Sequence, residues 1–377
     1  MGVVVLILLS LLILPPKVEK SRNRLYTRLS YRPTEQALAL HKKLLIVDMH
    51  ADSLLWDRNL LKRSTYGHVD IPRLVQGNVA LQAFTIVTKS PKNQNYKKND
   101  DQSDNITLLA VVQGWPPSTW WSLKKRALYQ ARRLQRYAAR SHGKFLVIKS
   151  AADLKNYLVR RKNDPSLCAG FLGIEGAQAL EGDLQNIDLF YEAGIRMMSP
   201  THFFDNDMAG SAHGIAKGGL TEIGKQMIRR MEAKRMLIDL AHASPQTIAD
   251  TLAIAKRPVV VSHTGLNGIC PSPRNLTDKQ VQAIAQTGGV ICIGYWDEAV
   301  CGTNAKAIAR SIKYAVQVAG IEHVGLGSDY DGDTTVPFDT GGLVELTAAL
   351  LAEGFSESEI EAIMGGNMLR LLERTLP

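Results

Sequence analysis

Apolar runs recur along the chain, and most are separated by stretches of helical periodicity. The pattern predicts eight strands: Leu44 to Asp52, Val79 to Thr88, Leu167 to Ala177, Ile195 to Phe203, Arg235 to Ala243, Pro258 to Gly265, Gly288 to Trp296 and His323 to Gly332. The runs are continuous rather than alternating, as parallel strands buried on both faces require. Helices are expected over Ile106 to Arg140 with a break at Pro116-Pro117, then Leu184 to Ala193, Thr221 to Ala233, Ser244 to Ala255, Thr277 to Thr287 and Ala305 to Ala319. Two more, Gly341 to Glu353 and Ser356 to Arg374, close the chain. Eight such strand–helix units predict an α/β fold, a (β/α)8 TIM barrel. An open doubly wound sheet is disfavoured, because no Gly-rich phosphate loop follows the first strand.

The pattern is different at the amino-terminal end. Met1 to Pro16 is almost wholly apolar and reads as an N-terminal anchor or signal-anchor. Residues 17–40 read as a basic juxtamembrane linker followed by a short helix capped by Thr34, and 41–377 as the barrel domain. The stretch from Lys89 to Asn105 looks too hydrophilic to pack and is expected to be an extended loop. Trp115, Trp120 and Trp121 read as packing residues.

A length of 377 residues suits one barrel with insertions, and 45% hydrophobic residues allow a large core. The net charge of +9 is concentrated in two blocks. Between Lys17 and Lys43 there are eight Lys/Arg against two acids, and between Lys124 and Lys162 thirteen against one. The remainder is acidic, so a basic face near an anionic membrane fits better than nucleic acid; a solvated helix face is the plainer explanation. The expected location is anchored or exported, with the barrel on the periplasmic or extracytoplasmic side. None of the four cysteines forms a CxxC pair. If the chain is exported, one pair can be oxidised, and Cys270 with Cys301, both just beyond predicted strands, is the best candidate. Cys168 and Cys292 read as core thiols.

In a barrel the C-terminal strand ends share one rim. Here they carry His50 and Asp52 (first strand), Glu175 (third), His202 (fourth), His242 (fifth), His263 (sixth) and Asp329 and Asp331 (eighth). His50 and Asp52 are two apart and project to the same side. A lone acid in an apolar strand, such as Glu175, needs a compensating cation. Asp48 and Asp239 either orient ligands from a second layer or cap backbone donors. His41, His68, His213 and His323 fall elsewhere and are assigned no metal role. The donor set suits two zinc ions per subunit. His50, Asp52, His242 and His263 would be terminal ligands and Glu175 the bridge, with a shared hydroxide between the ions. No Lys on the fourth strand offers a carboxylated bridge.

The motifs Asp48-Met49-His50-Ala51-Asp52, Gly173-Ile174-Glu175-Gly176, Thr201-His202, Ile238-Asp239-Leu240-Ala241-His242, Ser262-His263, Arg274-Asn275, Gly327-Ser328-Asp329-Tyr330-Asp331-Gly332 and Gly366-Asn367 run in order from about Leu44 to Leu372. Together they resemble the membrane dipeptidase (renal dipeptidase, M19) family, most closely its bacterial members. The resemblance implies a barrel of the metal-dependent hydrolase type in which a metal-bridging hydroxide cleaves dipeptides. It places one zinc on His50, Asp52 and Glu175 and the other on His242, His263 and Glu175. It makes His202 the group that polarises the substrate carbonyl or stabilises the oxyanion, Arg274 the binder of the terminal carboxylate and Asp329 the proton shuttle. It pairs Cys270 with Cys301, and a homodimer is compatible with it. The loop after His202 lacks the Trp-containing sequence of the mammalian enzymes, and the polar insertion after the second strand is unusual, so the substrate stays open. Two alternatives share the site: a lactonase or β-lactam hydrolase, and a maturation hydrolase or binding protein dedicated to a peptide-like secondary metabolite. Arg274 favours a substrate with a free carboxylate.

Overall fold

A computed structural model describes residues 15–27 and 32–377. Nine parallel strands form its main sheet: β1 (Ile46–Asp48), β2 (Val79–Val87), β3 (Phe145–Ile148), β4 (Cys168–Glu175), β5 (Ile195–Met198), β6 (Leu237–Ile238), β7 (Val260–Thr264), β8 (Val290–Ile293) and β9 (Val324–Leu326). Eight of them run in the order β6-β5-β4-β2-β1-β9-β8-β7. The two ends meet through a bridge between Asp239 and Val260, where the Leu240 amide donates to the Val260 carbonyl at 2.8 Å. The expected eight-stranded barrel is the fold.

The ninth strand was not anticipated. β3 pairs with the first half of β4, Phe145 beside Cys168 through Ile148 beside Phe171, while the second half of β4 turns to β5. Its four residues lack the length of the barrel runs, so no strand pattern stands out there.

Helices cover the outside, and their starts follow local capping chemistry. Thr221, Ser244 and Asn304 each accept from a backbone amide of the first turn, and Thr277 with Gln280 forms a reciprocal capping box. The expected break at Pro116-Pro117 separates Asn105–Val112 from Leu123–Arg140. Trp115 packs in a small cluster with Leu55, Trp56, Val87, Ile106 and Ala110, whereas Trp121 is exposed. Cys270 and Cys301 form a disulfide, and Cys168 and Cys292 are buried free thiols.

Two stretches depart from their sequence reading. Residues 15–22 are helical and Arg24–Leu25 forms a parallel ladder with Thr335–Val336, so this basic segment is docked on the barrel. The polar stretch after β2 packs as well, through its amides and through the Tyr96 ring, which stacks on Phe203 (centroids 5.9 Å). Asn99 donates to the carbonyls of Asn95 (2.7 Å) and His213 (3.1 Å), and the Asn95 side chain accepts from the Lys97 and Lys98 amides. The apolar anchor expected over residues 1–16 lies almost entirely outside the described residues, and no helix among those described is long and apolar enough to cross a membrane.

His41 ends the short helix Glu35–His41, with Nδ1 2.8 Å from Thr347 Oγ1 and Nε2 3.1 Å from the Gly77 carbonyl. Burial lowers its pKa to about 4. The unfolded chain therefore takes up this proton first. Its contribution is complete above pH 6.5 and is lost as the pH falls towards 4, by roughly 3 kcal/mol. His41→Gln is expected to flatten the acid limb of the stability profile. Denaturant unfolding at pH 7 and pH 4.5 measures it, and an equal loss in both proteins would assign the acid sensitivity elsewhere.

Candidate metal centre

Each candidate arises at the carboxyl end of a strand. His50 and Asp52 follow β1, Glu175 ends β4, His202 follows β5, His242 follows β6, His263 lies within β7 and Asp329 follows β9. All are buried except Asp329, which is partly so. His242 and Asp329 adopt left-handed backbone (φ 62° and 60°), a cost accepted at few non-glycine positions. Their carbonyls are tied down, that of His242 by the Ala212 amide (2.8 Å) and that of Asp329 by the Thr334 hydroxyl (2.8 Å).

The side chains converge on one carboxylate oxygen. Glu175 Oε1 lies 2.9 Å from His242 Nε2, 3.4 Å from His263 Nε2 and 3.7 Å from His50 Nε2. The Nε2 atoms of His242 and His263 are 3.0 Å apart. Glu175 Oε2 faces His202 Nε2 at 3.1 Å. On the other flank His50 Nε2 lies 3.5 Å from Asp52 Oδ1 and 3.8 Å from Asp329 Oδ1. Three overlapping sets of metal-capable atoms result: His50, Glu175 and His263; Glu175, His202 and His242; and His50, Asp52 and Asp329. Every side chain expected to hold metal is thus in one cluster. The sets cross the expected division, because Glu175 turns one oxygen to three imidazoles and the other to His202.

Electrostatics favour a cation. Burial pushes the Glu175 carboxyl well above its ordinary range, and pulls His242 and His263 well below theirs. Neutral imidazoles present lone pairs. Burial also lowers the tendency of His50 to charge, but Glu175, Asp52 and Asp329 outweigh it and hold its pKa near 10. Desolvation raises Asp329 to about 8 and lowers His202 to about 3. Buried His50 Nε2 and Glu175 Oε1 have no well-formed hydrogen bond. Such orphaned atoms, converging at 3–4 Å, fit a metal that would satisfy them.

The supporting layer holds backbone rather than rings. Asp48 accepts from the His50 amide (3.1 Å), the Ser328 amide (3.1 Å) and the Gln82 side chain (2.9 Å). Asp239 accepts from the amides of Ala241 (3.0 Å) and Ser262 (2.8 Å). Both acids cap backbone donors, among them the His50 amide and that of Ser262, which precedes His263. The rings are instead oriented by Ser262, whose hydroxyl meets His50 Nδ1 at 3.2 Å and His263 Nδ1 at 3.0 Å. Gly327, just after β9, must be glycine, since a Cβ there would meet the Ser262 carbonyl at 1.8 Å. Thr85 donates to Asp52 Oδ1 at 2.6 Å.

Arg274 is buried in the pocket wall. Its guanidinium donates to the His263 carbonyl at 2.7 Å and lies over the Trp296 ring, and no carboxylate pairs with it among the described residues. Asp331 turns away from the cluster to Arg58, Ser53 and His68. His213, assigned no role from sequence, stacks against Phe203 (centroids 4.8 Å) and stands edge-on to His242 (5.2 Å). Its Nδ1 meets the carbonyl of Tyr96, a pocket residue of the polar insertion. Only its place between Gly210 and Gly214, in the loop after His202, could have hinted at this.

The family model for membrane dipeptidase (peptidase family M19) matches residues 34–376. A protein of Klebsiella pneumoniae described as an uncharacterized protein in the pqqA 5' region is 32% identical over 256 residues, covering 64% of this chain and 92% of its own. Dipeptidase aclJ of Aspergillus oryzae is 27% identical over 361 residues, 90% of this chain and 79% of that one. Among solved structures, a metallo peptidase from Rhodobacter sphaeroides, liganded with a phosphinate mimic of the dipeptide L-Ala-D-Ala, aligns with a TM-score of 0.75 at 25% identity, over 88% of this chain and 99% of that one. The probable dipeptidase PvdM from Pseudomonas aeruginosa shares the fold, with a TM-score of 0.75 at 20% identity over 90% and 98% of the two chains. With strand-end histidines and acids gathered on one rim and a match spanning nearly the whole barrel, the chain belongs to the membrane dipeptidase family, peptidase family M19, and is a metallo-dipeptidase.

Proposed function

We propose that the protein hydrolyses dipeptides with a free carboxyl terminus, using two zinc ions. The observation that carries this is the meeting of three imidazole nitrogens and a buried carboxylate oxygen beside a buried, unpaired guanidinium. His50, Asp52 and Glu175 would hold one ion and His242, His263 and Glu175 the other, a donor set that suits zinc. When bound, the metal pair would supply Lewis acidity and an acidified water. The remaining chemistry belongs to the chain. Arg274 would hold the substrate carboxylate through its fork of donors, fixing the scissile bond over Glu175. His202, neutral and with Nε2 directed into the cluster, would donate to the carbonyl oxygen as negative charge develops there. Asp329, whose Oδ1 faces His50 in the cluster and whose carboxyl burial shifts towards the protonated form, would deliver a proton from Oδ1 to the leaving amine.

The phosphinate mimic held by the Rhodobacter relative supports including L,D dipeptides among the substrates. The Cys270–Cys301 disulfide supports an oxidising, extracytoplasmic setting. The test is turnover of L,L and L,D dipeptides by zinc-loaded and chelator-treated protein, with Arg274→Lys alongside. Loaded protein is expected to be active and stripped protein inactive. Arg274→Lys is expected to raise KM by about tenfold or more, because a point charge replaces a two-pronged donor. Equal cleavage of amidated and free dipeptides would sink the role given to Arg274.

A further inference from the structure

Residues 15–27 lie outside the stretch that matches the family, yet they reach the pocket. Val18 and Arg22 are among its lining residues. The segment is tied to the loop after β9 at several points. Glu19 pairs with buried Arg58, which also pairs with Asp331. Arg22 pairs with Asp333 at 2.8 Å, and Asn23 accepts from the Asp333 amide at 3.0 Å. Beyond these, the Arg24 amide donates to the Thr334 carbonyl (3.1 Å) and the Tyr26 amide to that of Val336 (3.0 Å). The loop so fastened begins at Asp329.

Val18 meets an apolar wall. It packs against the cluster of Leu55, Trp56, Val87 and Ile106, with Leu109 beside it, and these five also line the pocket. That wall rises from the ends of β1 and β2. Arg274 comes from the loop after β7, and β2 and β7 stand four places apart in the closed ring of eight. The pocket therefore has a carboxylate-binding side and an apolar side facing each other across the cluster. A dipeptide with its carboxyl end at Arg274 directs its first residue to the apolar side.

We propose that residues 15–27 form a wall of the substrate pocket in which Val18 completes an apolar subsite for the side chain of the substrate's amino-terminal residue. The subsite selects dipeptides that begin with a bulky apolar residue. This rests on the role given to Arg274 above. Glu19 is the positioning residue that holds Val18 there, through Arg58.

The experiment uses the full chain loaded with zinc and compares Leu-Ala with Gly-Ala in kcat/KM. Binding of the phosphinate mimics of the same two dipeptides is followed by calorimetry. Wild type is expected to favour the leucyl compound by about tenfold or more, the usual value of such a contact. Val18→Trp, which fills the subsite, is expected to lower that ratio at least fivefold, and Glu19→Ala to lower it in the same direction. Thermal melts identify a variant that has failed to fold, in which case the other decides. A wild type without preference, or a ratio that stays within twofold in both variants, overturns the proposal. If neither dipeptide is cleaved, the dipeptidase reading fails, and the calorimetric ratio alone decides whether the wall selects.

Discussion

Glu175→Gln is expected to lower kcat/KM for dipeptides by on the order of 10³-fold and to remove most of the bound metal. The substitution keeps the shape of the side chain and removes its charge. In the structure one oxygen of this carboxylate faces three imidazole nitrogens and the other faces His202. Among the described residues no other side chain meets all four of His50, His202, His242 and His263, so the cluster would lose the group that joins its imidazoles. The fold itself should not suffer. An ionised carboxylate in this environment is a liability until a cation arrives, which is why burial raises its pKa so far. The metal-free variant is therefore expected to melt at or above the temperature of metal-free wild type, while its melting point should no longer rise when zinc is added. Metal analysis, dipeptide kinetics and melts with and without chelator make the measurement. A variant with full metal content and near-normal turnover would remove Glu175 from the centre of the mechanism.

The largest effect on stability is expected at Arg58. This guanidinium is buried between Glu19 and Asp331 and also donates to the Val69 carbonyl at 2.6 Å. Asp331 further accepts from Ser53 (2.5 Å) and the His68 amide (2.6 Å), which helps keep it ionised, whereas burial raises Glu19 to about 8. Arg58→Met keeps much of the volume, strands the Asp331 carboxylate and leaves Glu19 without its donor. Removing one member of a buried ionic cluster costs about 3–5 kcal/mol, and urea unfolding should show it. A loss below about 1 kcal/mol would mean that water reaches the cluster and screens it.

The barrel was legible because its strands are buried on both faces and so appear as unbroken apolar runs. The metal cluster was legible because the fold then fixes which residues share a rim: His50, His202, His242 and His263 are hundreds of residues apart in part, but each ends a run. What escaped has no such signature. Ser262 precedes a histidine and looks like any strand serine; only the packing of β7 against β1 lets one hydroxyl serve two rings. His213 and Tyr96 sit in loops without periodicity. The polar insertion has little of the apolar content that marks a packed segment; Asn95 and Asn99 instead hold it by saturating backbone groups. The amino-terminal arm has too few residues for a pattern, and its ion pairs join positions more than 30 and 300 apart.

The barrel seam between β6 and β7 has a further consequence. It is held by the Asp239–Val260 bridge and by the Asp239 carboxylate, which reaches across to the Ser262 amide. His242 follows one side of this seam and His263 stands on the other, with their Nε2 atoms 3.0 Å apart. An ion gripped by both rings would therefore also be a clasp on the hoop of strands. Metal loading would then brace the closed barrel at this seam, so that one ion would serve both the site and the wall around it.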